Sequence, residues 1–399
     1  MRILLVHNRY QQQGGEDAVF EAEANLLEQR GHDVTRLLFD NDDIPAHRTP
    51  LDSVRLGLTT VWSRLGVARV SQAIKECRPQ VAHFHNTLPL VSPGAYSACR
   101  AAGVAVVQTL HNYRLICPSA NLLRNNRPCE DCLRRTPPWP GVVHACYRGS
   151  RLQTSAIASM LSFHRLRGTW QQDVDLYIAL SQFSKAKFVE FGIEPEQIVI
   201  KPNFVDDVNV IRRGNEDFFL FVGRLSKEKG IDLLLNAWVE ERIEMPLHMV
   251  GDGPLESLVA RTAKRYSTVH YLGRLSRTDV LSQMQAARAL IFPSIWYEAF
   301  PVTLVEALAC GLPIIASRLG VMPEVVADGQ LGLLFSPGDK EDLAMKIRWA
   351  QNHSELLSRF GVEARREYET KYTPARNYEQ LLAIYRHATD RARCRRGDR

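Results

Sequence analysis

The sequence predicts an α/β protein with two domains, each built on a doubly wound parallel sheet. Its 399 residues exceed what one ordinary hydrophobic core organises, so two domains of about 200 residues each are expected. Short runs rich in Val, Ile and Leu alternate with amphipathic helical segments, which is typical of parallel strands that helices cover on both faces. The alternation stops near residue 200 and starts again, which places the domains at residues 1–200 and 203–374.

Five buried strands are predicted in the first domain. The chain opens with the strand "RILLVHN", followed by the loop "QQQGG" at residues 11–15 and a helix that ends at Gly31. The later strands are "HDVTRLLF", "QVAHFHN", "VAVVQTLHN" and "DLYIALS". Residues 113–170, before the last strand, contain Pro, Asn, Arg and four cysteines. This segment is therefore predicted to be an insertion outside the core.

A second series of strands and helices follows the break at Pro202 and Asn203. Its predicted strands lie in "FFLFVGRL", "PLHMVGDG", "VHYLGRL", "ALIFPS" and "PIIAS", with helical segments between them. Ligands of such sheets bind at the carboxyl ends of the strands. The polar motifs that directly follow strands are therefore the candidate site residues.

The net charge of +6 is unevenly distributed along the chain. Residues 100–170 hold ten arginines, no lysine and only two acids, Glu130 and Asp131. This excess is either an ordinary solvated surface or a patch that meets phosphate or an anionic membrane. Trp139, Trp170 and the segments "LQTSAIASMLSFHRLR" and "LGLTTVWSRLGVARVSQAIK" are candidates for that patch; both segments are equally compatible with core-facing helices.

No apolar run approaches the roughly 18 residues that a membrane span requires. The first residues are typical of a buried strand and not of a signal peptide, so a cytosolic protein with reduced cysteines is expected, with association to the inner face of the membrane left open.

Two polar features follow strands of the first domain. Gly14 and Gly15 precede a helix, whose N-terminus favours an anion, although a plain turn explains them equally well and the GxGxxG pattern is absent. His111 follows the strand "VAVVQTL", where either a substrate contact or a structural histidine fits. His83 and His85, at the end of another strand, are interpreted together with Asn86 as lining of a ligand-binding cleft.

The second domain carries two glycine-containing loops after its first strands. Arg224 and Lys229, in "GRLSKEKG", precede a helix, where two cations beside a positive helix end indicate an anion such as a diphosphate. An exposed basic turn is the alternative. Gly251 and Gly253, in "GDGP", allow a close backbone approach, and Pro254 is expected at the first position of a helix. This loop has no DxD metal motif.

Glu298 and Glu306 lie eight residues apart in the apolar stretch "WYEAFPVTLVEALACG". The helix is predicted to begin near Pro301 and to end at Cys310, with Gly311 after it. Both carboxylates then flank a helix N-terminus, where the backbone N–H groups of Phe300, Val302 and Thr303 are free donors. Either these glutamates complement the helix dipole, or they await a ligand as their missing partner.

In this order and spacing, "GRLSKEKG", "GDGP" and "EAFPVTLVEALACGLPIIAS" resemble the retaining, nucleotide-sugar-dependent glycosyltransferases of family 4. That family has the GT-B fold, in which two Rossmann-like domains face one another across a cleft. Glu298 and Glu306 match the family's E-x7-E pattern. The resemblance is strong over residues 217–372 and looser in the first domain, through "GG" and "TLHN".

The resemblance implies a role for each matching position. Arg224 and Lys229 would bind the donor diphosphate, Glu298 the donor sugar and Glu306 the ribose. His111 would contact the sugar, and with Glu298, Arg224 and Lys229 it forms the catalytic set. The other implied donor-binding residues are Gly14, Gly15, Leu272, Gly273, Arg274, Ala299, Phe300, Pro301 and Val302.

The resemblance also implies the reaction: a sugar moves from a UDP- or GDP-sugar to a hydroxyl of a glycan or lipid-linked acceptor, in the synthesis of surface polysaccharide or glycolipid. The anomeric configuration is retained, the leaving phosphate takes the acceptor proton, and no catalytic metal is needed. A C-terminal helix at about 375–399 would join the first, acceptor-side domain. The alternatives are an epimerase or phosphorylase of the same fold and, ranked lower, a zinc-stabilised nucleic-acid-binding protein; no nucleic-acid partner is expected.

Cys117, Cys129, Cys132 and Cys146 lie within 30 residues of the insertion and include one CxxC. Four thiolates satisfy tetrahedral zinc and would order a segment too polar to fold by burial. Disulfides and uncommitted thiols are the alternatives, and the resemblance is to a subgroup with a four-cysteine insertion. Cys77, Cys99 and Cys310, in helical patterns, are interpreted as packing residues.

Overall fold

The computed structural model describes residues 1–9, 14–44, 49–208 and 217–397, so Gln11–Gln13 of the predicted loop lie outside the described residues. These residues form two compact units. The first unit consists of Met1–Leu122, Cys129–Pro202 and Asn377–Arg399. The second consists of Asn203–Arg376 together with the short segment Leu123–Pro128.

The first unit is built on a six-stranded sheet in which every strand pair is parallel, in the order β2-β1-β3-β4-β7-β8. The strands up to residue 203 are β1 Arg2–Arg9, β2 Asp33–Asp40, β3 Val81–Asn86, β4 Ala105–Leu110, β5 Leu123–Arg124, β6 Arg127–Pro128, β7 Leu176–Ala179 and β8 Ile198–Ile200. The helices are α1 Gly15–Gln29, α2 Pro50–Val61, α3 Arg64–Cys77, α4 Ala95–Ala101, α5 Trp139–Val143, α6 Arg151–Leu166, α7 Thr169–Gln172 and α8 Gln182–Phe191. β5 and β6 form a separate antiparallel hairpin.

The second unit repeats this architecture with the sheet order β11-β10-β9-β12-β13-β14, again entirely parallel. Its strands are β9 Phe219–Val222, β10 Leu247–Val250, β11 Val269–Gly273, β12 Ala289–Phe292, β13 Ile314–Ser317 and β14 Gly332–Phe335. Its helices are α9 Ile231–Glu240, α10 Glu256–Arg265, α11 Arg277–Ala286, α12 Val302–Ala309, α13 Met322–Val325, α14 Lys340–Asn352 and α15 Ser354–Lys371, and the chain ends in α16 Pro374–Arg396. Two parallel-sheet α/β domains are thereby confirmed.

Local sequence signals set several helix ends. Ser63 caps α3 by accepting the N–H of Gly66 at 2.9 Å, and it divides the segment that starts at Leu56 into two helices. α12 ends at the predicted place, because Cys310 is its C-cap and Gly311 has a φ of +66°. The prediction that Pro254 is the first residue of a helix is wrong, since α10 begins at Glu256.

The insertion is less separate from the core than its composition indicates. Met160 and Leu161 on α6 are buried, and Trp170 has no exposed surface. The carbonyl of Trp170 accepts the hydroxyl of Tyr177 from β7 at 2.8 Å. The expectation that Trp170 contributes to a membrane or phosphate patch is therefore wrong, because its indole completes the core beside the sheet.

None of the helices formed by the described residues is both long and apolar enough to cross a membrane.

Candidate functional site

The sheet order of the second unit brings three of the sequence motifs to one edge. β9 lies between β10 and β12. The strands β10 and β11 are added on one side of β9, and the strands from β12 onward are added on its other side. Loops that follow such neighbouring parallel strands meet at the carboxyl edge, where ligands of open α/β sheets bind. These are the loops with Arg224 after β9, Gly251 after β10 and Glu298 after β12.

Glu298 has a protein partner. Its Oε1 accepts Nζ of Lys229 at 2.6 Å, the hydroxyl of Ser294 at 2.7 Å and Nε1 of Trp296 at 2.8 Å. Only 5% of Glu298 is exposed, and the ammonium also lies 5.3 Å from the ring centre of Phe292. The expectation that Glu298 lacks a partner until a ligand arrives is therefore wrong: Lys229 supplies the charge that makes its burial tolerable.

The three donors to Glu298 converge on a single oxygen. Among the described residues, none donates a hydrogen bond to Oε2. A carboxylate has about four lone-pair sites, so a group fixed through Oε1 still has accepting capacity at Oε2. The arrangement holds the carboxylate rigidly and leaves one oxygen for a hydroxyl of a ligand.

The loops after β9 and β10 are joined through their backbones. The N–H of Leu225 donates to the carbonyl of Asp252 at 2.7 Å, and a Cβ on Gly251 would lie 1.9 Å from the carbonyl oxygen of Gly223. Gly253 has a φ of +150°, and a Cβ there would lie 2.6 Å from the carbonyl oxygen of Leu225. The predicted close backbone approach is confirmed, and it fixes the loop from which Arg224 projects.

Arg224 and Lys229 differ in their surroundings. Lys229 is committed to Glu298, whereas the side chain of Arg224 is exposed. Gly230 follows Lys229 with a φ of +74°, and a Cβ there would lie 2.0 Å from the carbonyl oxygen of Pro293. This contact brings the start of α9 against the segment after β12, where Glu298 lies.

Glu306 lies one turn inside α12, and its side chain is 17% exposed. Burial raises the pKa of Glu306, and Arg277, whose Nε lies 3.8 Å from Oε1, opposes that shift only in part. Unlike Glu298, this carboxylate has no hydrogen-bond donor among the described residues. It is a poorly compensated acceptor, which an incoming hydroxyl would satisfy.

The remaining donor-binding candidates of the second unit lie on its surface and at α12. Gly273 ends β11 and accepts the N–H of Gly251 at 2.9 Å, while Arg274 lies 3.5 Å from Asp252. Phe300 is held through its carbonyl by the side-chain amide of Asn203 at 3.1 Å. Ala299, Pro301, Val302 and Leu272 adjoin these residues in the chain.

In the first unit, His111 belongs to a buried chain of polar groups. Its Nε2 lies 2.9 Å from Nδ1 of His85, whose Nε2 lies 3.6 Å from Oε2 of Glu23. The other oxygen of Glu23 accepts Nζ of Lys201 at 2.5 Å. All four residues except the half-buried His111 are almost completely buried. Sequence reasoning missed Glu23 and Lys201. The available signal was Lys201, a charge directly after the apolar strand Ile198–Ile200, whereas Glu23 shares α1 with several other acids.

The surroundings of His85 and His111 favour the neutral form of both rings. Burial, together with the charges of neighbouring histidines and Lys201, holds the pKa of His85 and of His111 well below the ordinary value. If His85 keeps its proton on Nε2 toward Glu23, its Nδ1 accepts from Nε2 of His111. Nδ1 of His111 then carries a lone pair and is a hydrogen-bond acceptor.

Glu23, His83 and His85 are the one group of three metal-ligating side chains whose ligand atoms lie within 4.8 Å of one another in the described part of the chain. Their contacts argue against a metal. His83 bonds Tyr385 through Nδ1 at 2.8 Å and Thr109 through Nε2 at 2.7 Å. Lys201 already provides the positive charge beside Glu23, so we assign no metal here.

Gly14 and Gly15 lie at the start of α1, where a carboxylate already occupies the helix end. The N–H of Gly14 donates to Oδ2 of Asp17 at 2.8 Å, and Oδ1 of Asp17 lies 2.8 Å from Nε2 of His7. An anion bound here would compete with Asp17 for the same N–H group. This contact weakens the case for Gly14 as a phosphate ligand.

None of the four cysteines of the insertion forms a disulfide. Burial raises the pKa of Cys132 to about 12, and the nearby thiols of Cys117, Cys146 and Cys129 contribute to the rise. No three of the four sulfur atoms lie within 4.8 Å of one another. The thiols are therefore neighbours without the tetrahedral arrangement of a formed zinc site, and structural zinc stays a prediction.

Comparison with known proteins identifies the class to which these domains belong. Residues 14–208 match the family "Glycosyltransferase Family 4", and residues 206–367 match "Glycosyl transferases group 1". The chain thus consists of a family 4-like domain followed by a group 1 domain, the architecture of GT-B glycosyltransferases.

Particular relatives support the same class. An uncharacterized glycosyltransferase of Methanocaldococcus jannaschii is 32% identical over 220 residues, which cover 54% of this chain and 60% of that protein. The O-antigen chain mannosyltransferase C of Escherichia coli is 32% identical over 218 residues, 52% of this chain and 58% of its own length. These matches span less than two thirds of either relative.

The fold is shared with solved GT-B structures along almost the whole chain. Anabaena HepE, crystallised in complex with UDP, superposes with a TM-score of 0.67 at 20% identity, covering 96% of this chain and 99% of HepE. At this identity the likeness establishes the fold alone.

Proposed function

We propose that this protein is a retaining glycosyltransferase that transfers a sugar from a nucleoside-diphosphate sugar to an acceptor hydroxyl without a catalytic metal. The observation that carries the proposal is the Lys229–Glu298 pair at the carboxyl edge of the second sheet, where Oε1 of Glu298 is fixed and Oε2 is available. The family 4-like and group 1 domains support the same class of reaction.

The residues of the second unit then have distinct tasks in donor binding. Glu298 accepts a sugar hydroxyl, and Glu306, whose carboxylate is poorly compensated, accepts the ribose hydroxyls. Arg224 is exposed and contacts the diphosphate, with Lys229 behind Glu298 adding positive charge. Leu272, Gly273 and Arg274 border the base, and the backbone at Ala299–Val302 borders the sugar.

Catalysis in this proposal is electrostatic. The bond from the anomeric carbon to the diphosphate breaks as the acceptor oxygen bonds to the same face of that carbon. The acceptor proton passes to a phosphate oxygen of the leaving group, so no protein nucleophile is required. Lys229, Arg224 and the N-terminus of α9 stabilise the charge that grows on the diphosphate. The resemblance also implies a role for His111 of the first unit in sugar transfer.

The relatives favour a glycan or glycolipid acceptor, since one of them is an O-antigen chain mannosyltransferase. HepE was crystallised with UDP, which makes UDP-sugars the first donors to test, followed by GDP-sugars. A thermal-shift panel of UDP, GDP and their sugars identifies the nucleotide, because a ligand of the folded state raises the melting temperature.

The identified donor is then incubated with candidate acceptors in the presence of EDTA, and the product is analysed by NMR for its anomeric configuration. Transfer with retention in EDTA is the expected result. Inversion or a strict requirement for divalent metal would overturn the mechanism. Sugar-nucleotide conversion without transfer would instead identify an epimerase, and a requirement for orthophosphate would identify a phosphorylase.

A further inference from the structure

Exposed apolar side chains are concentrated on one part of the first unit. Among the described residues, seven of the ten exposed large apolar side chains lie between residues 58 and 166. They are Leu58, Leu65, Trp139, Val143, Leu152, Phe163 and Leu166. Single exposed apolar residues are ordinary, but a cluster of them marks an interaction surface.

Three of these side chains share one face of α6. Leu152, Phe163 and Leu166 are spaced by 11 and 3 residues, which places them within about 60° of each other around a helix with 3.6 residues per turn. Their exposed fractions are 67%, 42% and 81%. The opposite face of α6 carries the buried Ile157 and Leu161, which lie about 140° and 180° around the helix from Leu152. The helix therefore has apolar residues on both its core side and its solvent side.

Helices α2 and α5, which carry further exposed apolar side chains, both pack against α6. At the contact with α2, a Cβ built on Gly57 would lie 3.4 Å from Cβ of Ala156, and the next residue, Leu58, is 68% exposed. On α5, Trp139 is half exposed, and the guanidinium of Arg135 lies 5.0 Å from its ring centre. We call the set of Leu58, Trp139, Val143, Leu152, Phe163 and Leu166 the apolar face.

The apolar face lies in a strongly basic part of the chain. Residues 132–172 contain no Asp or Glu and six arginines, Arg134, Arg135, Arg148, Arg151, Arg165 and Arg167. Arg55 lies three residues before Leu58 on α2 and is exposed, as is Arg151 at the start of α6. The other exposed apolar residues, Met345, Leu356 and Val362, lie on helices that also carry acids such as Glu341, Glu355 and Glu363.

We propose that the apolar face docks this protein on an anionic lipid bilayer, with Leu152, Phe163 and Leu166 inserted at the level of the headgroups. A protein partner would need complementary acidic residues at fixed places, whereas a membrane supplies diffuse negative charge and an apolar layer together. Arginine beside exposed Leu, Phe and Trp fits that combination. The proposal is independent of the transferase reaction and of the donor site.

The test is flotation with vesicles of phosphatidylcholine alone and of phosphatidylcholine with phosphatidylglycerol, at low and physiological salt. We expect binding to the anionic vesicles only. The triple variant Leu152→Ser, Phe163→Ser, Leu166→Ser should lower the partition coefficient about tenfold or more. Arg55→Gln with Arg151→Gln should lower it about fivefold per arginine and reduce its salt dependence.

The matched control is the triple variant Met345→Ser, Leu356→Ser, Val362→Ser, which removes three exposed apolar side chains from the second unit and should bind as wild type does. All substituted side chains are exposed, and unchanged thermal unfolding verifies the fold. The proposal would be overturned if the wild-type protein did not bind anionic vesicles. It would also be overturned if both triple variants lost vesicle binding to the same extent. Displacement from the vesicles by RNA at matched charge would overturn it as well and would identify a nucleic-acid surface.

Discussion

Nζ of Lys229 lies 2.6 Å from Oε1 of Glu298, although the two residues are 69 positions apart. The contact joins the loop after β9 to the loop after β12, on neighbouring strands of the second sheet. It also gives a buried carboxylate its compensating charge and fixes that carboxylate in one orientation. A rigid, half-satisfied acceptor of this kind is suited to select a ligand hydroxyl.

Removing either member of this pair should abolish transfer. Glu298→Gln and Lys229→Met are expected to lower kcat/KM by about 10²- to 10³-fold, because they remove a fixed acceptor or a charge close to the reacting bond. The assay is donor-dependent transfer with protein whose unfolding curve is recorded in parallel. The matched control is Lys340→Met, which breaks an exposed ion pair with Glu240 in the same unit. Full activity of both site variants would exclude this assignment.

The buried carboxylate of Glu306 should lower the stability of the fold while it contributes to nucleotide binding. Its folded pKa is raised by burial, so ionisation at neutral pH favours the unfolded state. Glu306→Gln should therefore raise the melting temperature at pH 7 to 8. The gain should shrink as the pH falls through the raised pKa and vanish below the unfolded value of 4.5, where wild type is also protonated.

The same Glu306→Gln variant should bind the nucleotide about 10-fold more weakly, through the loss of a charged acceptor for the ribose. Calorimetric titration with the identified nucleotide measures this loss. Cys310 is buried near Glu306, and Cys310→Ala provides a control that alters the packing of α12 without removing the acceptor. An unchanged nucleotide affinity in Glu306→Gln would contradict the ribose role.

His85 should act as a positioning residue for His111. The amide of an Asn lies where Nδ1 of a histidine lies, so His85→Asn can still accept the proton of His111 Nε2, whereas His85→Leu cannot. We expect kcat to fall at least tenfold further in His85→Leu than in His85→Asn, with KM for the donor changed less. If both folded variants had the same kcat, His85 would have only a packing role.

The four cysteines of the insertion lead to a prediction about the metal content of the purified protein. Protein purified without chelator is expected to contain one zinc ion per chain by elemental analysis, and Cys117→Ser or Cys132→Ser should lose it and lower the melting temperature. Cys394→Ser, at an exposed thiol on α16, is the control. Metal-free wild type whose stability is unaffected by EDTA would leave these residues as uncommitted thiols.

Much of the candidate site could be located from the sequence because its signals are local. Val, Ile and Leu runs marked the strands, and Pro301 and Gly311 marked the ends of α12 within a residue or two. Gly251 and Gly253 indicated a backbone contact, which the loop at Gly223 and Leu225 provides. Each of these properties depends on steric and hydrogen-bonding preferences of a few consecutive residues.

The partners of buried charges could not be located in this way. Glu23 pairs with Lys201 across 178 positions, and His83 contacts Tyr385 across 302. Trp170 looked like a surface residue because its neighbours in sequence are Arg, Gly and Gln, yet it is fully buried. Such contacts are determined by strand order, which hydrophobic periodicity does not encode.

The sequence by itself therefore determined the fold class, the helix that follows Glu298 and the edge of the second sheet where polar residues gather. The tertiary structure alone decided that Glu298 is held by Lys229, that His111 is linked through His85 to Glu23, and that α6 turns Leu152, Phe163 and Leu166 outward. The physical reason is range: backbone preference acts over a few residues, whereas the desolvation of a charge or a ring depends on every element packed around it.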